Sequence, residues 1–592
     1  MTEIARYLVT TAVEGTWKHD RPVLFLGEWC REYRRRHIWL KMDRVVAEPF
    51  SLAPASKDEN YSTACQLEQT IFTSLRKILN THHKSNHGDR FWKIVLGHWL
   101  KAFVHIIFNR YHTLDSCLDN YKLSGTAVAN PEKYELATRN ILEFLYAADD
   151  ANWNHVVFQK ILGDINGGRV KTDVVDLDLG HGFRKQQKTS RNGFFKEHLL
   201  KLRRIFFATL AGFYSKKNAL IIGSYLPRWA ECKLHLSLGQ LPQVWDTSQF
   251  FLDVPPDRQL RLDLKREIFR DEVTGVERQI RKLLFEAIPI CYLEGFKELQ
   301  AVAQHKSWPD DPEFIFTCNN YEHDEIFKIW VAQKTESGTP YFVGQHGGNF
   351  GTQRIPAITI EEETADKYIT WGDAKTLPQH TPAFLIKTLG RGGKRPPLNP
   401  KGKIILVAEA LDINRKLWDG TGEYLRHWED QLSFFDLLGP AHRANAVMRL
   451  DGRDASGWDG YARLSDLKFP ISIDRGECTL EKLTPQMKLL VFTYNSTGFL
   501  ENLSQNIPTI AFWIGGMRSI RDSAKPAFED LIDVGIFHGS FESAASHINA
   551  HANNVDKWWN LQATQDARIR FCLKYAKFTH TPINDLKDAF RS

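Results

Sequence analysis

Short apolar runs closed by glycine or polar turn residues return along this chain, with stretches of helical periodicity between them. This alternation constrains the fold more than any other feature, because strands alternating with helices build a parallel sheet covered by helices. Tyr7–Thr11 and Pro22–Trp29 read as buried strands, and Arg44–Pro49 as a third. The period then changes. Ala64–Asn80, Arg90–Tyr111 and Pro131–Ala148 carry apolar residues at helical spacing, so roughly 60–165 reads as a helical insertion. Strand signals resume at Asn218–Leu226, Phe314–Cys318, Thr339–Gly344 and Asp366–Gly372, with helices predicted over Asp263–Gly295 and Asp324–Gly338. Arg391–Lys403 is rich in Gly, Pro and Lys and separates two α/β patterns, which makes it the predicted linker. Beyond it, Ile404–Ala408, Ala446–Leu450, Leu489–Thr493 and Thr509–Trp513 form a second strand series, and helices at Phe541–Asn553 and Ala567–Phe578 close the chain. The expected architecture is α/β, with two Rossmann-like domains facing a cleft. The first spans 1–390 and carries the insertion, the linker is 391–403, the second spans 404–545, and closing helices fill 546–592. Ligands of such sheets bind at the carboxyl ends of the strands.

The chain has 592 residues, 43% of them hydrophobic and 25% charged, which excludes a disordered chain, a collagen and a coiled-coil rod. Lys plus Arg number 77 and Asp plus Glu 71, a net charge of +6 that is too small to argue for a nucleic-acid partner. Two basic fields stand out, Arg31–His37 and a longer one from Arg184 to Lys217; an anionic headgroup, phosphate or acidic glycan would suit them. Met1-Thr2-Glu3 has an acid where a secretory leader needs a basic region, and the most apolar stretch, Trp92–Tyr111, is broken by Lys93, His98, Lys101, His105 and Arg110. The eight cysteines include no C-x-x-C pair, as expected of reduced thiols in a cytoplasmic protein.

Three segments carry the candidate chemistry. In Tyr341–Thr352 a strand runs into Gln345-His346-Gly347-Gly348-Asn349-Phe350-Gly351, whose glycines permit close backbone approach to a ligand and place His346 as a base or donor at the cleft floor. The glycine spacing matches neither the dinucleotide fingerprint nor a P-loop. Arg354 and Glu361-Glu362-Glu363 follow, and one of these acids is expected to face the cleft, there to deprotonate an acceptor hydroxyl. In Leu489–Trp513 a strand ends in Thr493-Tyr494-Asn495-Ser496-Thr497-Gly498 before a helix, a setting in which backbone N–H groups and hydroxyls bind phosphate; Glu501, one turn on, suits a ribose. An ordinary N-cap is compatible with that role. In Met448–Trp458, Arg449 and Arg453 are candidates for a phosphate or sugar carboxylate, with Asp451 beside them; a structural ion pair is the competing role for Arg449. Asn319, after the strand at Phe314–Cys318, offers an amide to a sugar.

At these residues the chain resembles a known family. The opening YLVTTAVEGTW…PVLFLGEWC, the central VGQHGGNFGT…EEETADKYITWG and the late TYNSTGFLENLSQNIPTIAFW are similar to bacterial surface-carbohydrate transferases encoded beside nonulosonic-acid biosynthesis genes, among them retaining pseudaminyltransferases and, more distantly, capsule Kdo transferases. The resemblance covers nearly the whole chain. It implies a glycosyltransferase of the B type, with a CMP-activated nonulosonic acid held by the C-terminal domain and the acceptor, a surface glycan or lipid-linked glycan, by the N-terminal one. On that resemblance Ser496 and Thr497 hold the CMP phosphate, with Tyr494, Asn495 and Gly498 around it, Glu501 takes the ribose, and Arg449 and Asp451 complete the donor site. His346 and Glu361 or Glu363 stand near the reacting carbon, and Gln345, Gly347, Gly348, Asn349, Arg354 and Asn319 line the substrate side. It suggests retention, no metal and no cofactor beyond the CMP-sugar substrate; Asp310-Asp311 lacks the strand-end setting of a metal-binding acid pair. Peripheral contact with the cytoplasmic face of the inner membrane is expected, and no nucleic acid. A UDP- or GDP-sugar donor on the same fold, or a non-catalytic glycan-binding assembly subunit, are the alternatives.

Overall fold

A computed structural model describes residues 4–592, except 52, 131–133, 178, 186–214, 244, 246–249, 251, 253, 270–272, 357, 392–397, 410–420, 453–456 and 468–470. The described residues form three five-stranded sheets in which every pairing is parallel. The N-terminal sheet contains β1 (Arg6–Val9), β2 (Val23–Phe25), β3 (Arg44–Val46), β4 (Leu123–Ala129) and β5 (Thr172–Val175) in the order β3-β2-β1-β4-β5. The middle sheet contains β6 (Leu220–Ile221), β7 (Ile315–Thr317), β8 (Tyr341–Gly344), β9 (Lys367–Thr370) and β10 (His380–Pro382), stepping one way as β10-β9-β8-β7-β6. The C-terminal sheet contains β11 (Lys403–Val407), β12 (Ala446–Arg449), β13 (Ser472–Asp474), β14 (Met487–Phe492) and β15 (Thr509–Ala511), ordered β13-β12-β11-β14-β15.

The expected α/β architecture is present, and the pair of sheets that face a cleft are the middle and the C-terminal ones. Residues 1–390 hold two sheets, however, so the segment 60–165 is not purely an insertion. Its long helices α1 (Pro54–His83) and α2 (Asp89–Asn120) form the crossover from β3, but β4 then pairs with β1. Part of the predicted linker, 392–397, and most of the second basic field lie outside the described residues.

The middle sheet is buried on both faces, as its near-continuous apolar strands require. Successive side chains point to opposite sides: Ile315, Val343 and Tyr368 join a core shared with the N-terminal sheet, α1 and α2, while Phe316, Phe342 and Ile369 join a core shared with the C-terminal sheet. Helix α2 contains a window of mean hydropathy 1.3, 78% of it buried inside the fold, so its apolar run serves this first core.

The helices that flank the middle and C-terminal sheets include α3 (Arg228–Ser237), α4 (Ile360–Thr364), α5 (Thr421–Leu437), α6 (Thr497–Ser504), α7 (Phe541–His551) and α8 (Gln562–Tyr575). The last helix, α9 (Pro582–Arg591), returns to the middle sheet. Its Phe590 packs against Phe314, Phe316 and Phe342, and just before it Lys577 N–H donates to the Trp371 carbonyl at 2.7 Å. The closing helices thus tie the two cleft-facing sheets together.

Candidate functional site

The carboxyl ends of the middle and C-terminal sheets enclose a cavity of about 1240 Å³. That exceeds the several hundred Å³ typical of small-ligand sites and leaves room for two substrates. Glu322, Arg354 and Glu361 wall it on the middle-sheet side, His98 and Lys101 come from α2, and Arg426, the turn Gly515-Gly516, Arg518 and the start of α7 close the C-terminal side.

The three consecutive acids face three environments. Thr359 caps α4: its hydroxyl accepts the Glu362 N–H at 3.3 Å, and the Glu362 carboxylate accepts the Thr359 N–H at 2.9 Å. Glu362 also meets His380 at 3.2 Å, so it is structural. Glu363, expected as an alternative to Glu361, turns to α2 and pairs with Lys93. Helical spacing leaves Glu361 pointing inward, 4% exposed, onto the cavity. Gly97 of α2 packs closely on this turn: a Cβ there would come within 3.1 Å of the Ile360 side chain, which would have to give by a few tenths of an ångström. Burial, reinforced by the charges of Glu362 and Glu322, pushes the Glu361 carboxyl up to about 7. His98 Nε2 lies 3.7 Å from it, and burial lowers that imidazole to about 3, so the ring is neutral.

His346 follows β8 and belongs to a second carboxylate–imidazole pair. Its Nδ1 lies 3.7 Å from Glu322, whose carboxyl burial raises to about 7, and 3.1 Å from the Tyr225 hydroxyl. Burial, then the charge of Lys387, lowers the imidazole below its ordinary value. Asn319 hydrogen-bonds Tyr225, and so belongs to this cluster. Gln345 is spent on the backbone: its amide donates to the Gly347 carbonyl at 2.8 Å and its oxygen accepts the Trp371 N–H at 2.9 Å. Asn349 donates to Gln353 at 2.8 Å, and Arg354 pairs with Asp58 of α1 while lining the cavity.

The glycine-rich loop and the α6 segment meet directly. Gly348 N–H donates to the Thr497 hydroxyl at 3.0 Å, and a Cβ on Gly348 would lie 2.8 Å from the Ser496 carbonyl oxygen. Asn495 donates to Thr352 at 2.9 Å. Ser496 caps α6, accepting the Phe499 N–H at 3.1 Å. Gly498 packs on Phe492, and Tyr494 is partly buried against the C-terminal core. Glu501 carries a carboxyl raised by burial and opposed by Lys387, the same cation that acts on His346. Arg449, by contrast, is turned along the sheet into an ion pair with Asp474, its partner in the β12–β13 register, and donates to the Cys478 carbonyl. This is the structural role open to it in the sequence. Asp451 follows in the β12 loop, and Arg453 lies outside the described residues.

Sequence reasoning missed Glu322, His98, Tyr225 and Lys387. Glu322 sits in the one-turn helix Asn320–His323 after β7 and Tyr225 in the loop after β6, and only the parallel order of those strands brings them beside β8. Each is an ordinary residue locally, so nothing short of the topology marks it.

The arrangement offers two carboxyls that titrate near neutrality beside neutral imidazoles, which suits proton transfer to or from a hydroxyl. No curated protein sequence matches the chain significantly. Among solved structures, the spinosyn rhamnosyltransferase SpnG in complex with spinosyn aglycone is 11% identical over 50% of this chain and 77% of that one, with a TM-score of 0.28. A protein assigned as a UDP-N-acetylglucosamine 2-epimerase from Listeria monocytogenes is 11% identical over 64% of this chain and 96% of that one, with a TM-score of 0.33. The sequence profile of a transferase family matches residues 6–590, nearly the whole chain. The protein therefore belongs to the LIC12162 family of transferases.

Proposed function

We propose that this transferase moves a nonulosonic acid of the pseudaminic type from a CMP-activated donor to a hydroxyl of a bacterial surface glycan. The observation that carries this reading is the buried Glu361 on the wall of a two-substrate cavity between facing sheets, with its carboxyl near 7. Membership of a transferase family and the sequence resemblance to nonulosonate transferases support it.

In this reading the acceptor hydroxyl gives its proton to the Glu361 carboxylate as its oxygen bonds to the anomeric carbon. The bond from that carbon to the phosphate oxygen breaks, and CMP leaves with the electron pair. The phosphate lies where the Gly347-Gly348 loop meets the start of α6, whose N–H groups and dipole favour an anion. The ribose lies on Glu501. With Arg449 committed to Asp474, Lys387, Arg426 and Arg518 supply positive charge around the donor. His346, held by Tyr225 and Glu322, orients the sugar carboxylate side of the reaction. Closure of the two sheets excludes water and limits wasteful hydrolysis. Retention at the transferred carbon, which requires the acceptor oxygen to enter on the face that the phosphate leaves, no metal in this step, and a cytoplasmic location beside the inner membrane complete the proposal.

Incubation with CMP-pseudaminic acid and a glycan acceptor tests it. Acceptor-dependent CMP release with a matching mass gain on the glycan is expected. Release that does not depend on acceptor, or none with this donor beside turnover of a UDP- or GDP-sugar, would overturn it.

A further inference from the structure

Away from the transfer chemistry, Cys65 and Glu68 stand one turn apart on one face of α1, and His105 faces them from α2. The Cys65 sulfur, a Glu68 carboxylate oxygen and a His105 ring nitrogen all lie within 4.8 Å of one another, and His105 Nε2 is 3.5 Å from Glu68 Oε2. His105 and Glu68 are buried and Cys65 is half-buried. We propose that Cys65, Glu68 and His105 form a binding site for a zinc-class divalent cation that clamps α1 to α2 on the wall of the cavity.

The donor set is the argument. Thiolate, imidazole and carboxylate together suit zinc better than the hard cations, which favour oxygen alone. A buried carboxylate needs a compensating charge. The neighbouring cation on α2, Lys101, directs its ammonium to the Ile358 carbonyl at 3.1 Å. Tyr61 stands edge-on to His105, with ring centroids 5.8 Å apart, and hydrogen-bonds the Cys65 thiol. Bond lengths of about 2.0–2.3 Å require the three donors to close in only slightly. Tyr61, Lys101 and His105 line the cavity, so a fourth position is open to water from that side. On binding, Cys65 loses its thiol proton to solvent and becomes the anionic ligand. The site does not depend on which sugar the protein transfers. The resemblance suggested no metal at all, so this site departs from that expectation, though it takes no part in the transfer step.

Titration of the reduced, metal-stripped protein with Co²⁺ tests the site. One equivalent should bind with a thiolate-to-cobalt charge-transfer band and tetrahedral visible bands, and Zn²⁺ should displace it. Cys65→Ser should abolish the charge-transfer band and weaken zinc binding by roughly 100-fold or more, at least the loss that removal of an outer-shell partner brings. Glu68→Gln, which keeps the side-chain volume, should weaken zinc binding while the circular dichroism stays native. Failure to take up one equivalent, a cobalt spectrum without the thiolate band, or a band that survives Cys65→Ser would overturn the proposal.

Discussion

Glu361 carries a conflict between stability and chemistry. Its carboxyl is raised from an ordinary value near 4.5 to about 7, chiefly by burial. A folded-state value above the unfolded one means that the protonated form stabilises the fold. That stability is fully present below about pH 4.5 and is lost as pH rises through 7. Glu361→Gln mimics the protonated form and should escape the loss. Denaturant midpoints should show the variant gaining on the native protein between pH 4 and pH 8, by up to about 3 kcal/mol. Transfer should fall by roughly 100-fold or more, the usual worth of a general base, and the native rate should rise with pH through 7. A variant that is no more stable at pH 8 would mean that the carboxyl is not held near 7. Three adjacent glutamates in the sequence announced that one would turn inward, but which one depended on the Thr359 cap and on Lys93, contacts that settle the helical phase of α4. His346 was legible because it sits between a strand end and paired glycines; its partners Glu322 and Tyr225 were not, since they arrive from other strands.

At the scale of elements, α6 carries a structural cap and, in the proposal, the phosphate site. Ser496 caps the helix and Thr497 receives the Gly348 N–H across the interface. Loss of both hydroxyls should cost about 1 kcal/mol of stability through the cap alone. If the start of α6 holds the phosphate, the Ser496→Ala/Thr497→Ala protein should also bind CMP about tenfold more weakly by calorimetry, equivalent to about 1.4 kcal/mol. Unchanged CMP affinity in the folded variant would remove α6 from the phosphate site. The strands with dense apolar runs, such as Met487–Phe492 and Tyr341–Gly344, were legible because burial on both faces leaves little choice of residue. Thr172–Val175, His380–Pro382 and Ser472–Asp474 were not. All three are edge strands, short and partly exposed, and one contains proline. Their register comes from a neighbour's backbone, which leaves no apolar period to read. Leu123–Ala129 was hidden differently: its small residues follow two long helices, and only its pairing with β1 makes it a strand.

At the scale of the whole molecule, the described residues form three parallel sheets whose cores meet on the two faces of the middle one. The middle and C-terminal sheets are tied to each other by Gly348–Thr497 and Asn495–Thr352, and again by the closing helices. The N-terminal domain adds its own contacts to the C-terminal one. Arg463 lies 4.3 Å from the Tyr33 ring and 3.7 Å from that of Trp458, and Arg36 pairs with Asp466. Part of the Arg31–His37 basic field is therefore an interdomain fastening, and not a surface awaiting a partner. The central claim, that the cleft between the middle and C-terminal sheets holds a CMP-activated sugar, is tested most directly by a crystal structure with CMP bound. The account predicts the phosphate at the junction of the Gly347-Gly348 loop with the start of α6, and the ribose on Glu501. A nucleotide seated elsewhere, at the carboxyl end of the N-terminal sheet for instance, would contradict it.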